Sequence, residues 1–181
     1  KFVEKRKRYG TANTDSILMT SRDGVTFKRH DEAFMTPGLE GEYNWVYGDC
    51  YPSYGVVETK IEGSDKTELS FYLTPGYSTK CEKLARYTVR LDGFFSWRGD
   101  AKGASLITKP VTIAGDDMSI NFATSAIGGI RIQLCDKDEN VLEGYDSGIL
   151  FGDSLDRKVV FEKPLKNLKG KEVKIKFYFK D

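Results

Sequence analysis

A two-residue hydrophobic period recurs in short segments along the chain, and it points to pleated sheet throughout. Leu69, Phe71 and Leu73 alternate with Ser70 and Tyr72, and Ala85, Tyr87, Val89 and Leu91 with Arg86, Thr88 and Arg90. Farther on, Met118, Ile120 and Phe122 alternate with Ser119 and Asn121, and Ile130, Ile132 and Leu134 with Arg131 and Gln133. The last segment sets Val173, Ile175, Phe177 and Phe179 against Lys174, Lys176 and Tyr178. Successive side chains of a strand point to opposite faces, so each segment offers one face to a core and the other to water.

Turn chemistry agrees. Ser16–Thr20 leads through Asp23-Gly24 to Val25-Thr26-Phe27, the signature of a hairpin. Pro37-Gly38, Pro75-Gly76, Asp92-Gly93, Gly128-Gly129 and Gly170 punctuate the rest, and no helical period runs for a useful length. With 18 glycines, 10 tyrosines and 11 phenylalanines, composition favours strands and tight turns as well. Short strands with such spacing predict an all-β sandwich, barrel or propeller piece.

The 181 residues allow one domain or two small ones, enough to bury a core without metal or disulfide staples. Basic and acidic residues balance at 28 and 27, which excludes a global polycation or polyanion. No apolar run approaches the ~20 residues of a membrane span. Three cysteines, Cys50, Cys81 and Cys135, share no metal-binding spacing, and His30 is the only histidine, so no zinc site is expected. Free or buried thiols are the expected state, with one disulfide plus a spare thiol as the alternative. The opening Lys1–Arg8 run is basic and follows neither an initiator methionine nor a signal-peptide apolar stretch, so the chain reads as part of something longer. As a feature, that run reads as a solvated strand or loop.

The character of the chain changes near Arg90-Leu91-Asp92-Gly93-Phe94. Before it, aromatic-rich loops are long, notably residues 31–53; after it, strands are separated by shorter polar turns. This places a boundary at about residue 92, and the absence of a Ser/Pro-rich linker predicts two halves packed together.

An ordered set of motifs adds a resemblance. Ser21-Arg22-Asp23-Gly24-Val25-Thr26-Phe27 is followed by Pro37-Gly38, Trp45 and Tyr51-Pro52 with Gly55. Arg86 to Trp97, Thr108-Lys109-Pro110, Gly115 to Asn121, Gly144 and Gly152-Asp153 complete the set. In this order the chain resembles the C-terminal part of bacterial proteins related to the five-bladed propeller glycoside hydrolases. There, closing propeller blades run into a C-terminal β-sandwich, and an Arg-Leu-Asp-Gly-Phe element marks the junction. The resemblance implies an incomplete propeller portion, a closing blade with part of a neighbour, at residues 1–91, and a jelly-roll-like β-sandwich at 92–181. It also implies a periplasmic, cell-surface or secreted location. Two departures stand out. The Ser-Arg-Asp-Gly turn is one residue short of a sialidase Asp-box, and about 90 residues cannot build five blades of roughly 40–50 residues each.

Glycoside hydrolysis needs two carboxylates flanking the bond, ~5–9.5 Å apart. The carboxylates set among aromatics are Glu40, Glu42 and Asp49, in the segment from Glu40 to Tyr51. Trp45, Tyr47 and Tyr51 suit stacking on sugar faces, and Asn44 and Asp49 suit hydroxyl hydrogen bonds. In the resembling proteins the matching loop approaches the substrate cavity of the propeller. These five residues are therefore the candidate carbohydrate-binding set, with core capping as the structural alternative. One blade cannot surround a glycosidic bond, so no catalytic residue is assigned and the chain is not expected to be catalytic alone. The expected partners are a carbohydrate and the missing propeller portion; no nucleic acid, metal or cofactor is expected. An independent carbohydrate-binding module and a purely structural sandwich are the rival functions.

The remaining features read as structure. Asp136-Lys137-Asp138-Glu139-Asn140 opens like a calcium loop, but Val141 stands where glycine is needed and Ser147 where the closing glutamate belongs. Arg86 and Arg90 are expected to pair with Asp92 or other acids. His30 follows a strand without a nucleophile motif. Lys174, Lys176 and Lys180 read as a soluble strand face, and Trp97 reads as junction packing. Ile120, Phe122, Ile132, Leu134, Ile175 and Phe177 are the expected sandwich core.

Overall fold

A computed structural model describes residues 13–41 and 43–181; the basic run at residues 1–8 and Glu42 lie outside the described residues. Among the described residues twelve strands form, all paired antiparallel, and no sheet closes into a barrel. The chain divides into two compact units and passes from one to the other between Phe94 and Phe95.

In the first unit, β1 (Ser16–Ser21) and β2 (Phe27–Met35) form a hairpin. Its turn is organised by Asp23, whose Oδ1 accepts the N–H of Val25 at 2.9 Å, the N–H of Thr26 at 2.7 Å and the Ser21 hydroxyl at 2.9 Å. These bonds, that from Thr26 foremost, favour the ionised carboxylate and hold Asp23 well below the usual carboxylate range. His30 lies within β2, where its Nε2 meets Thr20 Oγ1 at 3.0 Å; it is a strand residue and does not follow one.

A three-stranded meander, in the order β3 (Val57–Lys60), β4 (Thr67–Leu73), β5 (Ala85–Arg90), completes the unit. Alternation on β4 buries Phe71 and Leu73 with Cys50, and Phe34, Met35, Tyr87, Val89 and Phe94 pack around them. Ser70, read as water-facing, is also buried; its hydroxyl bonds Thr59 Oγ1 at 2.7 Å, which satisfies it out of water. Arg86 pairs with Glu68 of β4 at 2.6 Å rather than with Asp92.

The second unit contains β6 (Ala104–Ile107), β7 (Val111–Thr112), β8 (Ser119–Ala123), β9 (Gly129–Cys135), β10 (Val141–Leu150), β11 (Asp153–Lys158) and β12 (Glu172–Lys180). The larger sheet runs β10-β9-β12-β6, with β7 also paired to β12, and β8 pairs with β11 in a separate ribbon. Strand β12 is the hub: it aligns Lys174–Lys180 against Cys135–Gly129 of β9 and Lys176–Phe179 against Ile107–Ala104 of β6.

The core of this unit gathers Ile113, Leu134, Tyr145, Leu165, Leu168 and Val173, with Val111, Met118, Leu142, Phe161 and Ile175 against them, in a sandwich-like arrangement. Leu165 and Leu168 come from a short 3-10 turn that no periodicity announced. Of the six expected core residues, Ile132 and Leu134 are fully buried, whereas Ile120, Phe122, Ile175 and Phe177 are half-buried.

Strand β10 is bulged on both sides of Asp146. There Asp146 takes a bidentate pair from Arg131, Nε to Oδ1 at 2.8 Å and Nη2 to Oδ2 at 2.5 Å, plus Gln133 Nε2 at 2.6 Å and the Gly148 N–H at 2.9 Å. The Arg131 bonds foremost hold the Asp146 carboxyl well below the usual range. Among the described residues, no helix is long and apolar enough to cross a membrane.

Candidate functional site

The connection from β2 to β3, residues 36–56, is held in shape by its own polar groups. Asn44 Oδ1 accepts the Gly41 N–H, and its Nδ2 donates to the carbonyls of Pro37 at 3.1 Å and Leu39 at 2.6 Å. The Trp45 indole donates to the Gly38 carbonyl at 2.9 Å. The Asn44 side chain is thus spent inside the loop, and it orders the arc instead of reaching toward a ligand.

Beyond Asn44 the backbone turns sharply, with φ of +58° at Trp45, +89° at Gly48 and +60° at Cys50. Two of these are not glycine, and each left-handed residue of that kind costs about 1–2 kcal/mol. Burial of Val46 and Cys50 offsets the strain. Two bonds to the chain entering β1 reinforce it: Gly48 N–H to Thr14 Oγ1 at 3.0 Å, and Ser16 Oγ to the Cys50 carbonyl.

Asp49 is 0% exposed. Its Oδ1 accepts the Gly76 N–H at 2.5 Å, and its Oδ2 has no hydrogen-bond partner among the described residues. Asp49 therefore fastens this loop to the β4–β5 connection and is sealed from any surface ligand. Burial first, and then the Asp49 charge, push the Cys50 thiol up; burial, followed by Cys50 and Asp49, does the same to the Tyr87 phenol. A thiol held protonated in this way is a packing group and not a nucleophile.

Aromatic rings are among the side chains that this loop exposes. Trp45 is 42% exposed and Tyr51 43%, while Tyr47 is half-buried. Tyr47 and Tyr51 meet edge to face at 6.4 Å, and Tyr51 and Tyr77 at 5.9 Å. Tyr77 belongs to the β4–β5 connection and was not singled out by its sequence context. A Cβ on Gly48 would stand 2.5 Å from its ring, so glycine at 48 is what allows Tyr77 to close over the loop.

The five residues proposed from sequence thus divide by role. Trp45 and Tyr51 are exposed rings, Tyr47 supports Tyr51, and Asn44 and Asp49 shape the loop from within. Of the loop's described carboxylates, Glu40 is exposed and Asp49 is sealed, so these two share no opening in which a glycosidic bond would lie.

Elsewhere, Asp136 turns its carboxylate onto the backbone, its Oδ1 accepting the N–H of Asp138 and of Asn140 at 2.9 Å each. Lys174 is paired to Glu139 at 2.8 Å. All three cysteines are free, Cys50 and Cys135 buried and Cys81 exposed. Trp97 is 80% exposed, so packing within the chain does not account for it. Comparison of the chain with protein-family models, with curated proteins and with solved structures finds no match.

Proposed function

We propose that the chain is an accessory, carbohydrate-facing segment of a glycoside hydrolase-like protein, not catalytic by itself. In this reading the first unit is part of a propeller and the second is a jelly-roll-like sandwich. The observation that carries the proposal is the exposure of Trp45 and of the edge-to-face pair Tyr51 and Tyr77, beside the buried Asp49 and Cys50. Exposed rings on a fixed backbone suit the C–H face of a pyranose, and their ordering cost is met before the sugar arrives.

Exposed apolar residues on the hairpin, Ile17, Met19 and Phe27, support a second element of the reading: the first unit docks against further propeller blades of a parent protein. Such a parent would work outside the cytoplasm, where polysaccharides are processed. The test of the non-catalytic part is an assay of the purified chain against aryl glycosides and oligosaccharides. The expected result is no turnover above buffer; turnover that survives repurification and follows the folded chain through a final size-exclusion step overturns it.

A further inference from the structure

We propose that the second unit carries its own saccharide site, a cleft beside β6 that takes an uncharged sugar. The segment entering β6 and the end of β12 border an open groove of about 520 Å³ lined by Arg98, Asp100, Gly103 and Asp181 among others. That volume lies within the range of small-molecule sites, about 300–1,000 Å³.

The groove is built from fixed parts. The Asp100 carbonyl accepts the N–H of Gly103 at 2.9 Å and of Asp181 at 3.3 Å, tying the entering segment to the end of β12. Gly99 is buried at this junction, where a Cβ would stand 2.7 Å from the Phe179 carbonyl, so only glycine lets the two segments close. Asp100 Oδ1 accepts the Lys102 N–H at 2.8 Å, and Asp181 Oδ1 accepts the Ser125 N–H at 2.7 Å. Each carboxylate is oriented by a backbone N–H, and Arg98 adds a fork of donors.

Two exposed rings, Trp97 and Tyr178, neighbour lining residues of the groove. Trp97 precedes Arg98 and is 80% exposed. Tyr178 is half exposed, and its hydroxyl lies 3.2 Å from where a Gly103 Cβ would stand.

The lining selects the ligand class. Two carboxylates against one guanidinium repel phosphate, sulfate and uronate, and the apolar contribution of Ala101 and Ala104 is too small to hold a lipid chain. Sugar hydroxyls both donate and accept, which matches carboxylate acceptors interleaved with guanidinium donors, and the pyranose C–H face matches the rings. The inference does not depend on the loop around Trp45.

The chain has two tryptophans, one in each unit, so their indole N–H resonances report the two surfaces separately. The experiment is a ¹⁵N–¹H titration of the whole chain with maltose, cellobiose and xylobiose. Inorganic phosphate and glucuronate serve as anionic controls, and the resonances are assigned with Trp45→Phe and Trp97→Phe. The expected result is a saturable millimolar shift of the Trp97 resonance with at least one disaccharide. It should weaken by roughly tenfold in Arg98→Ala and be unchanged in Trp45→Ala. Arg98 is exposed, and circular dichroism checks that its variant stays folded. A silent Trp97 resonance with all three disaccharides, a larger response to phosphate or glucuronate, or undiminished binding in Arg98→Ala overturns the inference. A shift of Trp45 alone overturns this site and leaves the proposed function standing.

Discussion

The Asp49 carboxylate accepts the backbone N–H of Gly76, 27 residues away, from a position with no solvent access. One buried bond therefore sets where the aromatic loop after β2 lies against the connection after β4. Asp49→Ala removes the acceptor and leaves the Gly76 N–H unsatisfied, a loss of about 1–3 kcal/mol. A urea titration followed by tryptophan fluorescence should show that loss, and an unchanged midpoint would mean that the bond does not hold the loop.

Gly48 is the second fastening. Alanine there must adopt φ of +89° and set a Cβ 2.5 Å from the Tyr77 ring. The backbone cost alone is about 1–2 kcal/mol. The variant should be destabilised by at least that much and should lose the nuclear Overhauser contacts between Tyr77 and Tyr51. A variant of wild-type stability with those contacts retained would contradict the geometry.

In the second unit, Asp146 gives a pH signature of definite sign. Its folded-state pKa is depressed, chiefly by Arg131, so its stabilisation is fully present above the unfolded value of about 4 and is lost as pH falls below it. Asp146→Asn should be less stable than the parent by about 1 kcal/mol at pH 7, since the pair is partly solvated, and the gap should narrow by pH 2.5. Denaturant titrations at both pH values decide it; a gap that widens on acidification would reverse the assignment.

Burial orders two core truncations. Leu134 is fully buried at the centre of its cluster, so Leu134→Ala should cost about 2–5 kcal/mol. Phe177 is half-buried, so Phe177→Ala should fall below the roughly 3–5 kcal/mol of a sealed phenylalanine. Equilibrium unfolding of the two variants side by side checks the order, and a larger loss at Phe177 would mean that its strand face is more enclosed than the structure shows.

The strands were legible because alternation is a local signal. The segments around Phe71, Val89, Ile132 and Ile175 all form strands, and the Asp23-Gly24 turn closes its hairpin. What the period could not convey was degree of enclosure: Phe177 and Ile132 face each other in register, yet only Ile132 is sealed. Depth depends on what packs over each position from elsewhere in the chain, and no local pattern encodes that. Ser70 was misread for a related reason, since a polar residue at an outward phase is buried once Thr59 supplies a partner.

The candidate site was legible only in composition. An aromatic-rich loop was visible from Trp45 to Tyr51, but Asp49 and Asn44 turned inward because their bonds to Gly76, Pro37 and Leu39 depend on the folded path of the chain. Tyr77 was missed because its place over Gly48 is a long-range contact. Trp97, read as packing from its apolar neighbours, is exposed.

The most direct measurement of the central claim is a saccharide titration of the isolated chain read at the Trp45 indole. Stacking contributes about 1 kcal/mol per ring, so a surface of few rings should bind at millimolar strength, equivalent to about −4 kcal/mol. The account predicts a saturable shift of the Trp45 resonance with neutral oligosaccharides, carried with Tyr51 and Tyr77 and abolished by Trp45→Ala. A Trp45 resonance that does not move with any saccharide while the chain remains folded would contradict it.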